Sequence, residues 1–299
     1  MKREQKTLGQ GWVMLVVIIG VLSGTTASLF IRYGTAPSLV LAAYRMTFAT
    51  LILLPLVLLH HWEELRRLDR ATVLWSLLAG ALMGLMLVAY IMSVKYTTIA
   101  AASVLTGTEI LFVAAFMYLS GKERYNALGK TGILIALIGS ILVSLSGDHN
   151  PAVNAPLGNA AGIACAALLA AYSVVSSKIR QANLSTIPFT FIVYGVAAVM
   201  LNLLIPFTGC PYFGYGKINL LVGFGMAVFC SLLSHSLYTW SLKYISPTLL
   251  SFFEISAPIP TVLLGFVVLG EIPLWNQVVG GIAVIIGIFL YTVRDPVKQ

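Results

Sequence analysis

YIMSVKYTTIAAAS (residues 90–103) and YTWSLKYISPTLLS (residues 238–251) carry the same polar marks in the same order. A shift of 148 sets Tyr90 on Tyr238, Ser93 on Ser241, Lys95 on Lys243, Tyr96 on Tyr244 and Ser103 on Ser251. The same shift, without a gap, brings Glu123 onto Glu271, Gly132 onto Gly280 and Gly139 onto Gly287. Earlier in each half a shift of 146 pairs Arg32 with Lys178. Helices rich in Leu and Gly resemble one another by composition, but charged and polar matches in one register do not arise that way. The chain reads as two related halves.

Both halves are built of apolar blocks. Of the 299 residues, 59% are hydrophobic and 9% charged, against about 45–50% and about 25% in soluble domains. A helix needs ~20 apolar residues to cross the hydrocarbon core. Helices are predicted at 11–31, 39–60, 71–95, 98–120, 127–146, 156–177, 185–206, 217–243, 246–269 and 275–294. The fold class is therefore all-α and integral to the membrane, with ten transmembrane helices. Residues 1–147 form the first repeat and 156–299 the second. The linker 148–155 lies within GDHNPAVNAP (147–156), whose Asn and Pro content suits a connection. Five spans is an odd number, so the second half must enter the membrane inverted. Inverted-topology repeats are a usual construction of secondary transporters.

Orientation follows from the basic residues. With the N-terminus inside, 14 of the 18 Lys and Arg fall on the inner side, Arg180 among them. Three (Arg32, Lys95 and Lys217) fall outside, and Arg45 lies within a span. That bias predicts both termini in the cytoplasm, in a multi-pass protein of the cell inner membrane. The net charge of +8 is accounted for by these clusters and gives no sign of a nucleic-acid partner. The basic start leads into an apolar block too long for a signal-peptide core. Cys165, Cys210 and Cys230 form no pairing framework and are expected as free thiols.

Several segments resemble the drug/metabolite transporter superfamily, in its EamA-type branch. VLSGTTASLFIRYGTAPSLVLAAYRMTFATLILLP (21–55) is similar to the family's first two helices through Gly24, Arg32 and Arg45. FVAAFMYLSGKERYNALGKTGILIALIGSILV (112–143) and PTVLLGFVVLGEIPLWNQVVGGIAVIIGIFLY (260–291) resemble its helix, Glu, amphipathic turn and Gly-rich helix, with Glu123 and Glu271 as the matching glutamates. Ile110 stands where the family often has Pro after Glu109, Pro258 keeps the equivalent place, and Ser23-Gly24 replaces the usual Trp-Gly. The resemblance implies a transporter rather than an enzyme, working on a small-molecule substrate within the lipid bilayer. Among family substrates it favours amino acids or related compounds, and efflux. A homodimer is compatible with it.

Four ionisable residues sit inside predicted spans: Arg45, Glu109, His235 and Glu254. Such groups are costly in hydrocarbon and face a cavity or a partner. At ~1.5 Å of rise per residue, Glu109 lies ~17 Å from the outer edge. Glu254 lies ~18 Å from that edge of a ~30 Å core, and His235 falls at a similar depth. Transporter sites lie near this midplane. None of the four is mirrored in the other half: Glu109 meets Ala257, Glu254 meets Thr106, His235 meets Leu87 and Arg45 meets Phe191. Residues that break a repeat's symmetry are candidates for substrate binding or coupling, with protons the natural coupling ion. Arg45, nearer the outer end, is equally explained by snorkelling or a structural ion pair. Trp240, Phe252 and Phe253 are weaker candidates for an aromatic pocket wall. Gly20/Gly24, Gly80/Gly84 and Gly158/Gly162 are read as close helix contacts.

No cofactor or metal site is expected. Leu128–Gly129–Lys130–Thr131 ends like a phosphate-binding loop, but Arg124 stands where the first Gly is required. There is no HExxH and no GxSxG. The leading reading is a secondary active transporter working by alternating access. Its rivals are a membrane-embedded enzyme acting on a lipid or isoprenoid substrate, and a receptor that transports nothing.

Overall fold

The computed structural model describes residues 10–96, 102, 105–121, 126–144, 154–181, 184–257, 259–260 and 275–294. All regular structure among these is helical: α1 Gln10–Gly24, α2 Thr26–Tyr33, α3 Ser38–His60, α4 Trp62–Arg66, α5 Arg70–Tyr96, α6 Glu109–Leu119 and α7 Ala127–Ser144 in the first half. The second half holds α8 Ala155–Gln181, α9 Thr186–Leu204, α10 Lys217–Gly225, α11 Ser236–Ser241, α12 Pro247–Glu254 and α13 Trp275–Arg294. A π-helical segment, Met226–His235, joins α10 to α11.

Six stretches among the described residues are long and apolar enough to cross a membrane: Gly11–Ile31, Ser38–His60, Arg70–Tyr96, Pro156–Arg180, Thr186–Thr208 and Lys217–Ser241. Leu105–Leu119, Ala127–Gly139 and Val278–Gly287 are shorter apolar helices. The sequence expected ten spans, and the difference lies at predicted helices 98–120, 127–146, 246–269 and 275–294. Parts of the first three, with Glu123, Pro258 and Glu271, lie outside the described residues.

Within the first span, two hydroxyls bond back to the helix's own carbonyls. Thr25 Oγ1 donates to Leu22 O at 2.7 Å and Thr26 Oγ1 to Ser23 O at 2.7 Å. Such back-bonding competes with the helical ladder, and a turn at Thr25 separates α1 from α2.

Packing between helices rests on small residues, as it must where lipid supplies no hydrophobic drive between them. A Cβ on Gly80 would lie 2.6 Å from Val196 Cβ of α9, and one on Gly20 2.6 Å from the Tyr238 ring. One on Gly162 would lie 2.8 Å from Leu105 Cβ. Helices α7 and α13 approach backbone to backbone. A Cβ on Gly139 would stand 2.6 Å from Gly280 O, and one on Gly287 2.7 Å from Gly132 O. Because Gly139 meets Gly280 while Gly132 meets Gly287, these two helices run antiparallel. The shift of 148 converts one contact into the other. Helices α3 and α9 also cross antiparallel. Thr47 Oγ1 accepts from Asn202 Nδ2 at 3.0 Å, and Thr50 lies against Gly195. The outer faces carry large apolar side chains, such as Ile138, Ile282, Ile285 and Phe289, which suits hydrocarbon and not water.

Candidate functional site

Where α1, α3, α5, α8, the π segment, α11 and α12 converge they leave a cavity of about 180 Å³. That is well below the ~300–1,000 Å³ of a pocket for a drug-sized ligand.

The walls follow the repeat. Val21 and Leu169, Met86 and Ser234, Leu87 and His235 each line the cavity and stand 148 positions apart. So do Tyr90 and Tyr238, Thr106 and Glu254, Glu109 and Ala257. The cavity is thus shared between the halves, lined from equivalent positions that, apart from Tyr90 and Tyr238, carry unlike side chains. The 148 register reaches into the first helix of each half. That replaces the shift of 146 read from sequence there, and sets Arg32 opposite Arg180.

Glu109 begins α6 and is 3% exposed. Its Oε1 accepts from Ser251 Oγ of α12 at 2.8 Å and from Ser173 Oγ of α8 at 3.3 Å. The Glu254 carboxyl meets that of Glu109. Glu254 Oε2 is buried on the cavity wall with no hydrogen-bond partner among the described residues. Ser251 precedes Glu254 by three residues, so both share a face of α12.

Arg45 is 2% exposed. Its Nε donates to Ser231 Oγ at 2.8 Å and its Nη2 to Cys230 O at 3.0 Å. Both acceptors lie in the π segment, whose carbonyls also take side-chain donors from other helices. Neighbours claim these in succession: Ser23 Oγ donates to Phe229 O at 2.7 Å and Tyr194 Oη to Ser231 O at 2.8 Å. Arg45 therefore does not snorkel, and no ion pair joins it to Glu109 or Glu254 among the described residues. Arg45 is also among the residues that line the cavity. His235 ends the π segment on the same wall, edge-on to Tyr238 at 5.8 Å between ring centroids.

One chamber thus brings together Arg45, Glu109, His235 and Glu254. Trp240, Phe252 and Phe253 are not among its lining residues. Trp240 stacks at a tilt on Tyr244 at 4.8 Å, while Phe252 and Phe253 are buried in the packing around α1 and α12. Aromatic character alone does not separate a pocket wall from a core. Sequence reasoning missed Ser173, Ser251, Cys165 and Cys230. Ser251 carried a signal, its spacing of three from Glu254, whereas Cys165 lies in a run of small residues with nothing to single it out.

A cavity at the meeting of two related halves, walled by apolar-faced helices and holding buried charges, defines a multi-pass membrane protein that handles a small molecule. Residues 9–145 and 157–293 each match the EamA-like transporter family, and the chain belongs to that family, within the drug/metabolite transporter superfamily. The two matches are offset by 148 residues at both ends. An uncharacterized transporter of Archaeoglobus fulgidus is 23% identical over 207 residues, covering 68% of this chain and 70% of that protein. A solved crystal structure superposes over 95% of this chain and 98% of that one, with a TM-score of 0.76 and 19% identity, a likeness of fold. The protein is a membrane transporter.

Proposed function

We propose that this protein is a secondary active transporter that moves a small zwitterionic metabolite, an amino acid or a related compound, outward across the inner membrane by alternating access. Ten spans in two inverted halves, with both termini cytoplasmic, complete the reading. The antiparallel crossings of α7 on α13 and of α3 on α9 support it, since those helices occupy equivalent places in the two halves.

The observation that carries the substrate class is the charge within the cavity. Arg45 is a permanent cation. Glu109 and Glu254 meet in a low-dielectric site, where two carboxylates cannot both ionise cheaply, so the pair shares one proton and carries one negative charge. A cation on the α3 wall and an anion on the α6–α12 wall complement the carboxylate and ammonium of an amino acid. The volume of about 180 Å³ supports a substrate of few heavy atoms. The ammonium favours release of the shared proton, so substrate and proton compete, as antiport requires. His235 completes the polar wall beside Arg45.

Counterflow in liposomes containing only this protein tests the reading. Small amino acids should exchange, and analogues lacking the carboxylate should fail to compete. Arg45→Lys should weaken apparent affinity about ten-fold or more, because a point charge does not reproduce the guanidinium fork. Absence of flux for every small zwitterion would overturn it.

A further inference from the structure

Arg180 was counted as one more cytoplasmic surface charge, yet it is 2% exposed. Its Nε donates to Thr239 O at 3.1 Å, its Nη2 to Thr186 Oγ1 at 2.6 Å and its Nη1 to Leu184 O. One side chain therefore ties α8 to α9 and α11. Thr239 is fully buried, and its hydroxyl is 3.0 Å from Tyr172 Oη of α8.

This layer lies directly beneath the cavity. Thr239 follows Tyr238, the last cavity-lining residue of α11, and Tyr172 is one turn beyond Leu169, the last of α8. Below it, Glu64 Oε1 of α4 accepts the Ser185 N–H at 2.8 Å. The cavity is floored on the side that carries α4 and the start of α9.

The opposite end is arranged differently. There Lys95, from the end of α5, donates to Ala36 O in the α2–α3 connection. The 148 register sets Ala36 on Leu184 and Lys95 on Lys243. Two equivalent carbonyls are thus held by cations that are not equivalent, a lysine from the third span at one end and Arg180 at the other. Lys243, half-buried in the turn between α11 and α12, is the lysine that would make the matching contact. In a transporter of inverted halves, the arrangement at one end in one state appears at the other end in the alternate state.

We propose that Arg180 is the latch that closes the cavity floor, and that opening this end passes the Leu184 carbonyl from Arg180 to Lys243. The proposal rests on the alternating-access reading above. It assigns gating to residues that lie outside the cavity.

The test is alkylation of Cys165 and Cys230, native thiols that line the cavity, by a membrane-impermeant reagent in oriented vesicles. The full chain is used, with Cys210→Ser removing the thiol outside the cavity. Arg180→Gln should raise labelling from the floor side about ten-fold, the ratio for a charge-assisted hydrogen bond of about 1.4 kcal/mol, and lower it from the opposite side. Arg180→Lys should shift both rates less. Lys243→Gln should act oppositely, reducing floor-side labelling below that of the unaltered protein. Unchanged rates in Arg180→Gln, or a rise from both sides together, would overturn the latch. Should Arg180→Gln fail to fold, Lys243→Gln decides alone, and unchanged labelling there sinks the exchange. Labelling needs no substrate, so absence of flux would count against the transport reading without touching this result.

Discussion

Glu109 and Glu254 meet in the cavity from positions that are not equivalents of each other. The repeat sets Glu109 against Ala257 and Glu254 against Thr106, and all four residues line the same chamber. A symmetric scaffold thus carries an asymmetric pair of carboxyls, one anchored by Ser173 and Ser251 and the other with a buried oxygen that has no partner among the described residues.

That asymmetry separates the roles of the two. Glu254 has the freer oxygen to offer a substrate cation, whereas Glu109 is held by two hydroxyls. Glu254→Gln should flatten the pH dependence of transport while leaving the unfolding midpoint nearly unchanged. Glu109→Gln should flatten it less and also lower stability by about 1 kcal/mol, as its serine contacts are rearranged. Initial rates in proteoliposomes across a pH series, beside thermal unfolding in detergent, check both. Unaltered pH profiles in both variants would remove the pair from coupling.

The repeat was legible because its matches include Lys95, Lys243, Glu123 and Glu271, which hydrophobic patterning cannot produce by accident. In the first helices the shift of 146 rested on basic residues, and Leu- and Ala-rich stretches offered no other mark. The cavity supplies one there, because Val21 and Leu169 line it from equivalent places. The ionisable residues within spans were legible on cost alone, and Arg45, Glu109, His235 and Glu254 do share one chamber. The π segment was not legible. MAVFCSLLSH contains no Pro or Gly, and its carbonyls are taken by Ser23, Arg45 and Tyr194, whose positions only the tertiary fold determines. Arg180 shows the limit of counting charges, since a topology signal and a buried hydrogen-bond hub look alike in sequence.

The contacts of α7 on α13 give a prediction about stability. Gly139 and Gly287 are equivalents under the repeat, and each lies where an added Cβ would stand under 3 Å from backbone of the facing helix. Backbone cannot move aside as a flexible side chain can. Gly139→Ala and Gly287→Ala should each cost about 1–3 kcal/mol, and by similar amounts, because the two contacts are copies. Gly11→Ala, where a Cβ would meet nothing within 4 Å, is the control. Thermal unfolding in detergent reads the difference. A variant at 139 as stable as the control would mean that the two helices do not approach so closely.

The last prediction concerns acid stability at α4. Glu64 lies outside the membrane-spanning stretches and caps the start of α9 by accepting the Ser185 N–H at 2.8 Å, with His61 Nδ1 3.4 Å from its other oxygen. Partial burial pushes the Glu64 carboxyl up, but hydrogen bonds from Ser185 and the neighbouring His61 outweigh it and hold the group below its usual value of 4.5. A carboxyl lowered in the folded state binds fewer protons there than in the unfolded chain. Its contribution is therefore fully present above pH 4.5 and is lost as the pH falls through the lowered value. Glu64→Ala should remove a cap worth about 1 kcal/mol at neutral pH. The variant should also lose part of the fall in stability below that pH, so that the two unfolding midpoints converge in acid. Midpoints measured between neutral pH and the acid limit of the folded protein decide it. Parallel curves, with a constant gap at every pH, would show that Glu64 acts through packing and not through its charge.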